Sequence, residues 1–79
     1  MAKKVIVYST ATCPFCIRLK DFLSENNVEF TNYDVGNERD KAKEMIVKSG
    51  QRGVPVLDID GKIIVGFNKE AIKEELGIQ

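Results

Sequence analysis

Cys13 and Cys16 are the only thiols in a chain of 79 residues, and Pro14 and Phe15 separate them. A Cys-x-x-Cys pair can bind structural zinc, staple the chain, or exchange disulfides reversibly. Structural zinc takes four protein ligands. With no third cysteine and no histidine, a closed zinc site would need carboxylates to fill in, so no metal is expected. A staple across four residues is weak: the chain-entropy estimate is roughly 2 kcal/mol, against about 4.7 for a 100-residue loop. Redox exchange suits the spacing. Residues i and i+3 of a first helical turn lie about 5–6 Å apart. A disulfide wants its Cα atoms about 4.4–6.8 Å apart, so oxidised and reduced forms share nearly one backbone. The lack of histidine also removes a histidine general base and leaves thiol, carboxylate, amine and hydroxyl chemistry.

Such a pair must sit where a strand feeds a helix, and the surrounding residues supply both. Residues 3–8 (KKVIVY) form a short β-branched run that reads as a buried strand. Residues 9–12 break the pattern with small side chains. Pro14 follows, a residue that a helix tolerates in its first turn. From there Cys16, Leu19 and Leu23 recur on one face of an amphipathic helix that ends near Asn26–Asn27. Cys13 would then stand at the helix N-terminus, where free N–H groups and the dipole favour an anion. The first twenty residues carry Lys3, Lys4, Arg18 and Lys20 and no acid, Asp21 being the first. Cys16 lies on the buried stripe. Cys13 is therefore the expected nucleophile and Cys16 the resolving thiol. The alternative, two small buried hydrophobes, would make Pro14 and the junction placement a coincidence.

The rest of the chain continues the alternation. Residues 28–35 read as a second strand, Gly36–Asn37 as a turn with Asn37 capping the next helix, and Ala42, Met45 and Ile46 as that helix, stopped by Ser49–Gly50. Residues 54–59 are a third strand, Asp60–Gly61 a two-residue hairpin, and residues 62–65 a fourth strand. Asn68 can cap a last helix carrying Ala71, Ile72 and Leu76, with Gly77 at its end. The order is βαβαββα in one domain, residues 1–79. A right-handed parallel βαβ unit joined to an antiparallel hairpin gives an α/β fold: one four-stranded mixed sheet with helices on both faces.

Composition narrows the partners. Twelve basic and twelve acidic residues cancel, so no global field is left to hold a nucleic acid. At 43% apolar and 30% charged residues, a folded soluble domain is expected. No apolar stretch approaches the ~20 residues of a membrane span or the ~7–15 of a signal core. The expectation is a cytoplasmic monomer with no membrane partner.

Two further constellations stand out. Gly53-Val54-Pro55-Val56 puts a proline in a strand pattern, where it removes a ladder donor. Pro55 marks either an edge or strand start, or a cis bond that leaves the Val54 backbone free to pair with a bound peptide or thiol. Gly66-Phe67-Asn68 follows the last strand. Gly66 fits a turn or close approach. Asn68 fits a helix cap, and the same helix start could also hold a small carboxylate.

On these residues the chain resembles the glutaredoxins of the thioredoxin superfamily, through YSTATCPFC, SGQRGVPV and IDGKIIVGF and through the βαβαββα order. The resemblance covers nearly the whole chain and implies a thioredoxin-like fold and a thiol–disulfide oxidoreductase. It also implies glutathione as co-substrate, with no tightly bound cofactor, and disulfide-bearing proteins as partners. It implies that Cys13 attacks, Cys16 resolves, Pro14 and Phe15 complete the motif, and Pro55 is the cis-proline. Val54 would pair with the glutathione cysteine. Gly66, Phe67 and Asn68 would form the loop whose Phe67 and Asn68 amides hold the γ-glutamyl carboxylate.

Three departures qualify that likeness. Glutaredoxins usually carry Gly-Gly-x-Asp after the last strand; here Asn68 replaces the charged residue with an amide. Thr10 replaces a lysine often found three residues before the nucleophile, and Arg52 can substitute for it at the glycine carboxylate of glutathione. Gly66-Phe67 is also similar to small redoxins that serve ribonucleotide reductase and are reduced by thioredoxin reductase. That reading stays open, as does an iron–sulfur carrier in which two protomers give Cys13 and two glutathiones complete the shell.

Overall fold

The computed structural model describes residues 4–78. They run in the order β1 (Val5–Ser9), α1 (Pro14–Glu25), β2 (Thr31–Asp34), α2 (Arg39–Ser49), β3 (Val56–Ile59), β4 (Lys62–Val65) and α3 (Lys69–Leu76). The strands form one mixed sheet in the order β2-β1-β3-β4. β1 and β2 are parallel, with Ile6 opposite Thr31. β1 and β3 are antiparallel, with Val7 opposite Leu57, and so are β3 and β4, with Ile59 opposite Lys62. The expected α/β architecture is the observed one.

Alternation along the strands sends side chains to two cores. Val5 and Val7 of β1, Leu57 and Ile59 of β3 and Ile64 of β4 meet Leu19, Phe22 and Leu23 of α1 and Ile72 of α3. On the opposite face Tyr8 and Val56 meet Met45 of α2, with Ile6, Ile46 and Ile63 around them. Helices therefore cover both faces, α1 and α3 on one and α2 on the other. Cys16, Leu19 and Leu23 are fully buried, as the helical stripe predicts.

Several boundaries shift, each for a local reason. Lys3, read as the start of the first strand, lies outside the described residues. Ser9, read as part of the break, belongs to β1: it pairs with Asp34, is buried, and donates from Oγ to Asn32 Oδ1 at 2.7 Å. β2 begins at Thr31 instead of Val28. The Val28 N–H donates to Leu23 O at 2.9 Å, closing the end of α1, and Val28 and Phe30 pack into the core instead of extending the ladder. The cap of α2 is Glu38, not Asn37; the Asn37 amide is engaged by Asp34 Oδ2 at 2.8 Å. β3 starts at Val56, leaving Val54 and Pro55 outside it. The hairpin holds: Asp60 and Gly61 both have positive φ, 50° and 94°, as a two-residue turn of this kind requires.

Candidate functional site

The turn after β1 delivers Cys13 to the start of α1. Pro14 occupies the first helical position, where a missing N–H costs nothing. Cys13 is the N-cap, and its Sγ accepts a hydrogen bond from the Cys16 N–H at 3.2 Å. The Cys13 N–H in turn donates to Thr10 O at 3.4 Å, and its carbonyl accepts from the Ile17 N–H at 3.2 Å. The loop is thus tied to the helix on both sides of the thiol. Both cysteines are free thiols, Cys13 half-buried and Cys16 buried.

The two sulfurs differ electrostatically. Burial, joined by the hydrogen bond with Cys13, pushes the Cys16 thiol up to about 11. The Thr10 N–H and the Lys20 charge oppose that rise without cancelling it. At neutral pH Cys16 is held as a thiol.

Across from the pair lies the segment before β3. The Val54–Pro55 bond is cis, and Pro55 is buried. Val54 O stands 4.0 Å from Cys13 Sγ, a long thiol contact. The Pro55 carbonyl accepts from the Gly66 N–H at 2.8 Å, which binds the cis segment to the loop after β4. Gly66 has φ +82°, a conformation that side chains with a Cβ rarely adopt. Phe67 then turns its ring inward, edge-on to Phe22 at 5.9 Å between centroids. Asn68 caps α3, its Oδ1 accepting from the Ala71 N–H at 3.2 Å. Among the described residues, the N–H groups of Val54, Phe67 and Asn68 have no protein partner.

The fold therefore brings Cys13, Cys16, Pro14, Val54, Pro55, Gly66, Phe67 and Asn68 to the two connected loops and the α1 start. Two of the residues expected there stand at the surface. Phe15 is 56% exposed and carries Arg18 over its ring at 5.6 Å, on the outer side of the helix. Arg52 is exposed and makes no ion pair among the described residues. Two contributions at Cys16 go beyond that reading: the Thr10 main chain, and Lys20, which the sequence offered only as part of the acid-free first twenty residues. The first is a tertiary backbone contact with no residue signature. The second is legible as the residue one helical turn after Cys16.

No described helix is long and apolar enough to cross a membrane. The sequence model of the glutaredoxin family matches residues 5–64. A glutaredoxin-like 8.6 kDa protein of the rubredoxin operon of Clostridium pasteurianum is 47% identical over 66 residues, covering 84% of this chain and 88% of that one. Glutaredoxin 3 of Escherichia coli strain K12 is 39% identical over 62 residues, 78% of this chain and 75% of its own. A crystal structure of a mutant of the thioredoxin-like protein BC3987 superposes with a TM-score of 0.92 at 30% identity, covering 96% of this chain and 97% of that one. A thiol pair at a strand-to-helix junction, facing a cis-proline on a thioredoxin-like sheet, is thus matched by sequence kinship: the chain belongs to the glutaredoxin family, whose work is thiol–disulfide redox chemistry.

Proposed function

We propose that the protein is a glutathione-dependent oxidoreductase that reduces protein disulfides and mixed disulfides with glutathione. The observation that carries this reading is the half-buried Cys13 thiol at the α1 N-terminus, opposite a Val54 backbone that, among the described residues, pairs with nothing else. Cys13 as thiolate attacks one sulfur of the substrate disulfide. The Cys13–substrate S–S bond forms, the substrate bond breaks, and the leaving thiolate takes a proton from water. A mixed disulfide on Cys13 then has two exits. Cys16 attacks Cys13 Sγ and releases the second thiol, leaving a Cys13–Cys16 disulfide that two glutathiones reduce. Alternatively, where the mixed disulfide is with glutathione, a second glutathione attacks its sulfur and releases glutathione disulfide, restoring Cys13.

The chain offers groups that suit glutathione. The Val54 N–H and C=O can pair with the backbone of its cysteine as an added strand. The unbonded amides of Phe67 and Asn68 suit the γ-glutamyl carboxylate. Asn68 can accept from the γ-glutamyl ammonium through its side chain, without charge. Arg52 is the cation proposed for the glycine carboxylate. Phe15 is proposed as an outer apolar wall, and Pro55 and Gly66 as the frame that holds Val54 and Phe67 in place.

The test is disulfide reduction with glutathione and its reductase, on wild type, Cys13→Ser and Cys16→Ser. Cys13→Ser should abolish turnover, while Cys16→Ser should keep reduction of glutathione mixed disulfides, because glutathione replaces the resolving thiol. Turnover with thioredoxin reductase alone, and none with glutathione, would replace this reading with that of a redoxin.

A further inference from the structure

Beside the loop that carries the Phe67 and Asn68 amides lies a cleft of about 300 Å³, lined by Arg18, Asp21, Phe22 and Glu25 of α1 and by Phe67 and Lys69 around the start of α3. That volume is at the small end for a ligand cleft. Phe22 joins its two walls: the Phe67 ring stands edge-on to it at 5.9 Å, and the Lys69 ammonium lies 5.6 Å from its centroid. Phe67 and Lys69 flank Asn68 in the chain, so the cleft adjoins both amides. Two cations and two carboxylates border it, yet among the described residues none of the four is in an ion pair. Charges of both signs around one cleft, not closed on each other, suit a ligand that brings both signs itself. The end of an α-amino acid does so, since its carboxylate and ammonium share one carbon. The Phe67 and Asn68 amides, with Lys69 beside them, suit the carboxylate. The ammonium then needs an anion. Asn68 is neutral, and its Oδ1 already accepts from the Ala71 N–H at 3.2 Å. The carboxylates that border the cleft are Asp21 and Glu25. Along the helix axis Asp21 is about 12 Å from Cys13 and Glu25 about 18 Å, so Asp21 is a turn closer to the sulfur that anchors the ligand.

We propose that Asp21 holds the γ-glutamyl ammonium of glutathione in this α1–α3 cleft, and that the contact makes Asp21 a specificity-determining residue for that thiol. The inference rests on the glutathione reading above and adds to it the charge that position 68 lacks. The contact is one of binding and moves neither proton nor electron.

The test pairs a variant with a change in the ligand. The reduced protein reacts at pH 7 and ~0.15 M salt, where charges beyond ~8 Å are screened, with two disulfides. One is glutathione disulfide; the other is its analogue with hydrogen in place of each γ-glutamyl amino group. Chromatography of the released thiol gives a second-order rate constant for each, and their ratio is the readout. Because both disulfides meet the same sample, an unfolded fraction cancels from the ratio. Wild type should prefer glutathione disulfide by about twofold to fivefold, the range of an exposed ion pair. Asp21→Asn should bring the ratio to about one. Glu25→Gln, which changes the net charge equally, should keep the wild-type ratio. A wild-type ratio of one, an Asp21→Asn ratio equal to that of wild type, or the same loss in Glu25→Gln overturns the inference and leaves glutathione dependence standing. A wild type that reduces a neutral small disulfide but not glutathione disulfide overturns the glutathione reading, and this contact with it.

Discussion

The protein takes titratable groups out of water in two places and treats them in opposite ways. Under α2, Tyr8 is wholly buried. Its hydroxyl donates to Glu44 Oε2 and accepts from Lys48 Nζ at 2.9 Å. Lys48 also donates to Asp58 Oδ2 at 2.7 Å, and the Gly61 N–H donates to Asp58 Oδ1 at 2.7 Å. Each group is pushed toward the protonation state it already holds at neutral pH. Burial and the Glu44 contact raise Tyr8. The hydrogen bonds to Asp58 and Tyr8 raise Lys48. Burial works against the Asp58 carboxylate, but the Lys48 hydrogen bond, the Gly61 N–H and nearby lysine charges outweigh it and lower its pKa. Each group in this network is held by at least one of the others, which fixes its position. At the thiol end, Cys13 Sγ has one N–H donor and one long contact, and among the described residues the Val54, Phe67 and Asn68 amides of the adjoining loops have no protein partner. Polar groups that satisfy one another become structure; polar groups held in place but left incomplete become a site.

Substitutions can break that contrast. The largest effect belongs to Cys13→Ser, which should abolish disulfide exchange and leave thermal stability within about 0.5 kcal/mol, since serine keeps an N-cap acceptor. Asp58→Asn should do the reverse, with full exchange activity and lower stability. Equal damage to activity from both would mean the two regions are one functional unit.

A second comparison lies inside the site. With a small alkylating reagent at pH 7, Cys16 should react at least roughly a hundredfold more slowly than Cys13, because burial shields it and few of its thiols are ionised. Mass spectrometry of the labelled peptides reads this directly. The Cys16 labelling rate should climb with pH and level off only near about 11. Equal rates at pH 7 would sink the distinction between the two sulfurs.

The Asp58 network has its own pH signature. The folded carboxylate is lowered below an unfolded value of about 3.9. Its stabilisation is therefore fully present above pH ~3.9 and is lost as pH falls through the folded pKa. Lys48 keeps part of its side chain in water, so Asp58→Asn should cost about 1–2 kcal/mol at pH 7. Denaturant titrations should show that difference shrinking below pH ~4. A gap independent of pH would mean that shape, not charge, sets the contribution of Asp58.

The smallest effect is expected at Asn68. Hydrogen bonds to charged groups contribute about 1.5–3 kcal/mol and neutral ones about 0.5–1.5. Asn68 is exposed, so Asn68→Asp should tighten glutathione binding by less than about tenfold. The cap to Ala71 survives, because the two residues cap almost equally well. Flat or weaker affinity would make Asn68 a cap alone and remove the γ-glutamyl carboxylate from this loop.

Reading the chain residue by residue recovers whatever is decided within a few positions. Pro14 after Cys13, the Cys16–Leu19–Leu23 stripe, the Asp60–Gly61 hairpin, and the Gly50 and Gly77 helix ends were all legible, because turn chemistry and helical periodicity act over one or two turns of chain. Asn37 misled for the same reason: it has the composition of a cap, but Asp34 competes for its side chain. Only tertiary structure decided that β3 lies beside β1, that Val54 meets Cys13 across 41 residues, and that Tyr8, Lys48 and Asp58 close on one another. Those contacts depend on strand register and on the crossover through α2, where a shift of one residue would send every side chain to the other face. No local spacing encodes them, since the free energy that selects them comes from burying both sheet faces at once.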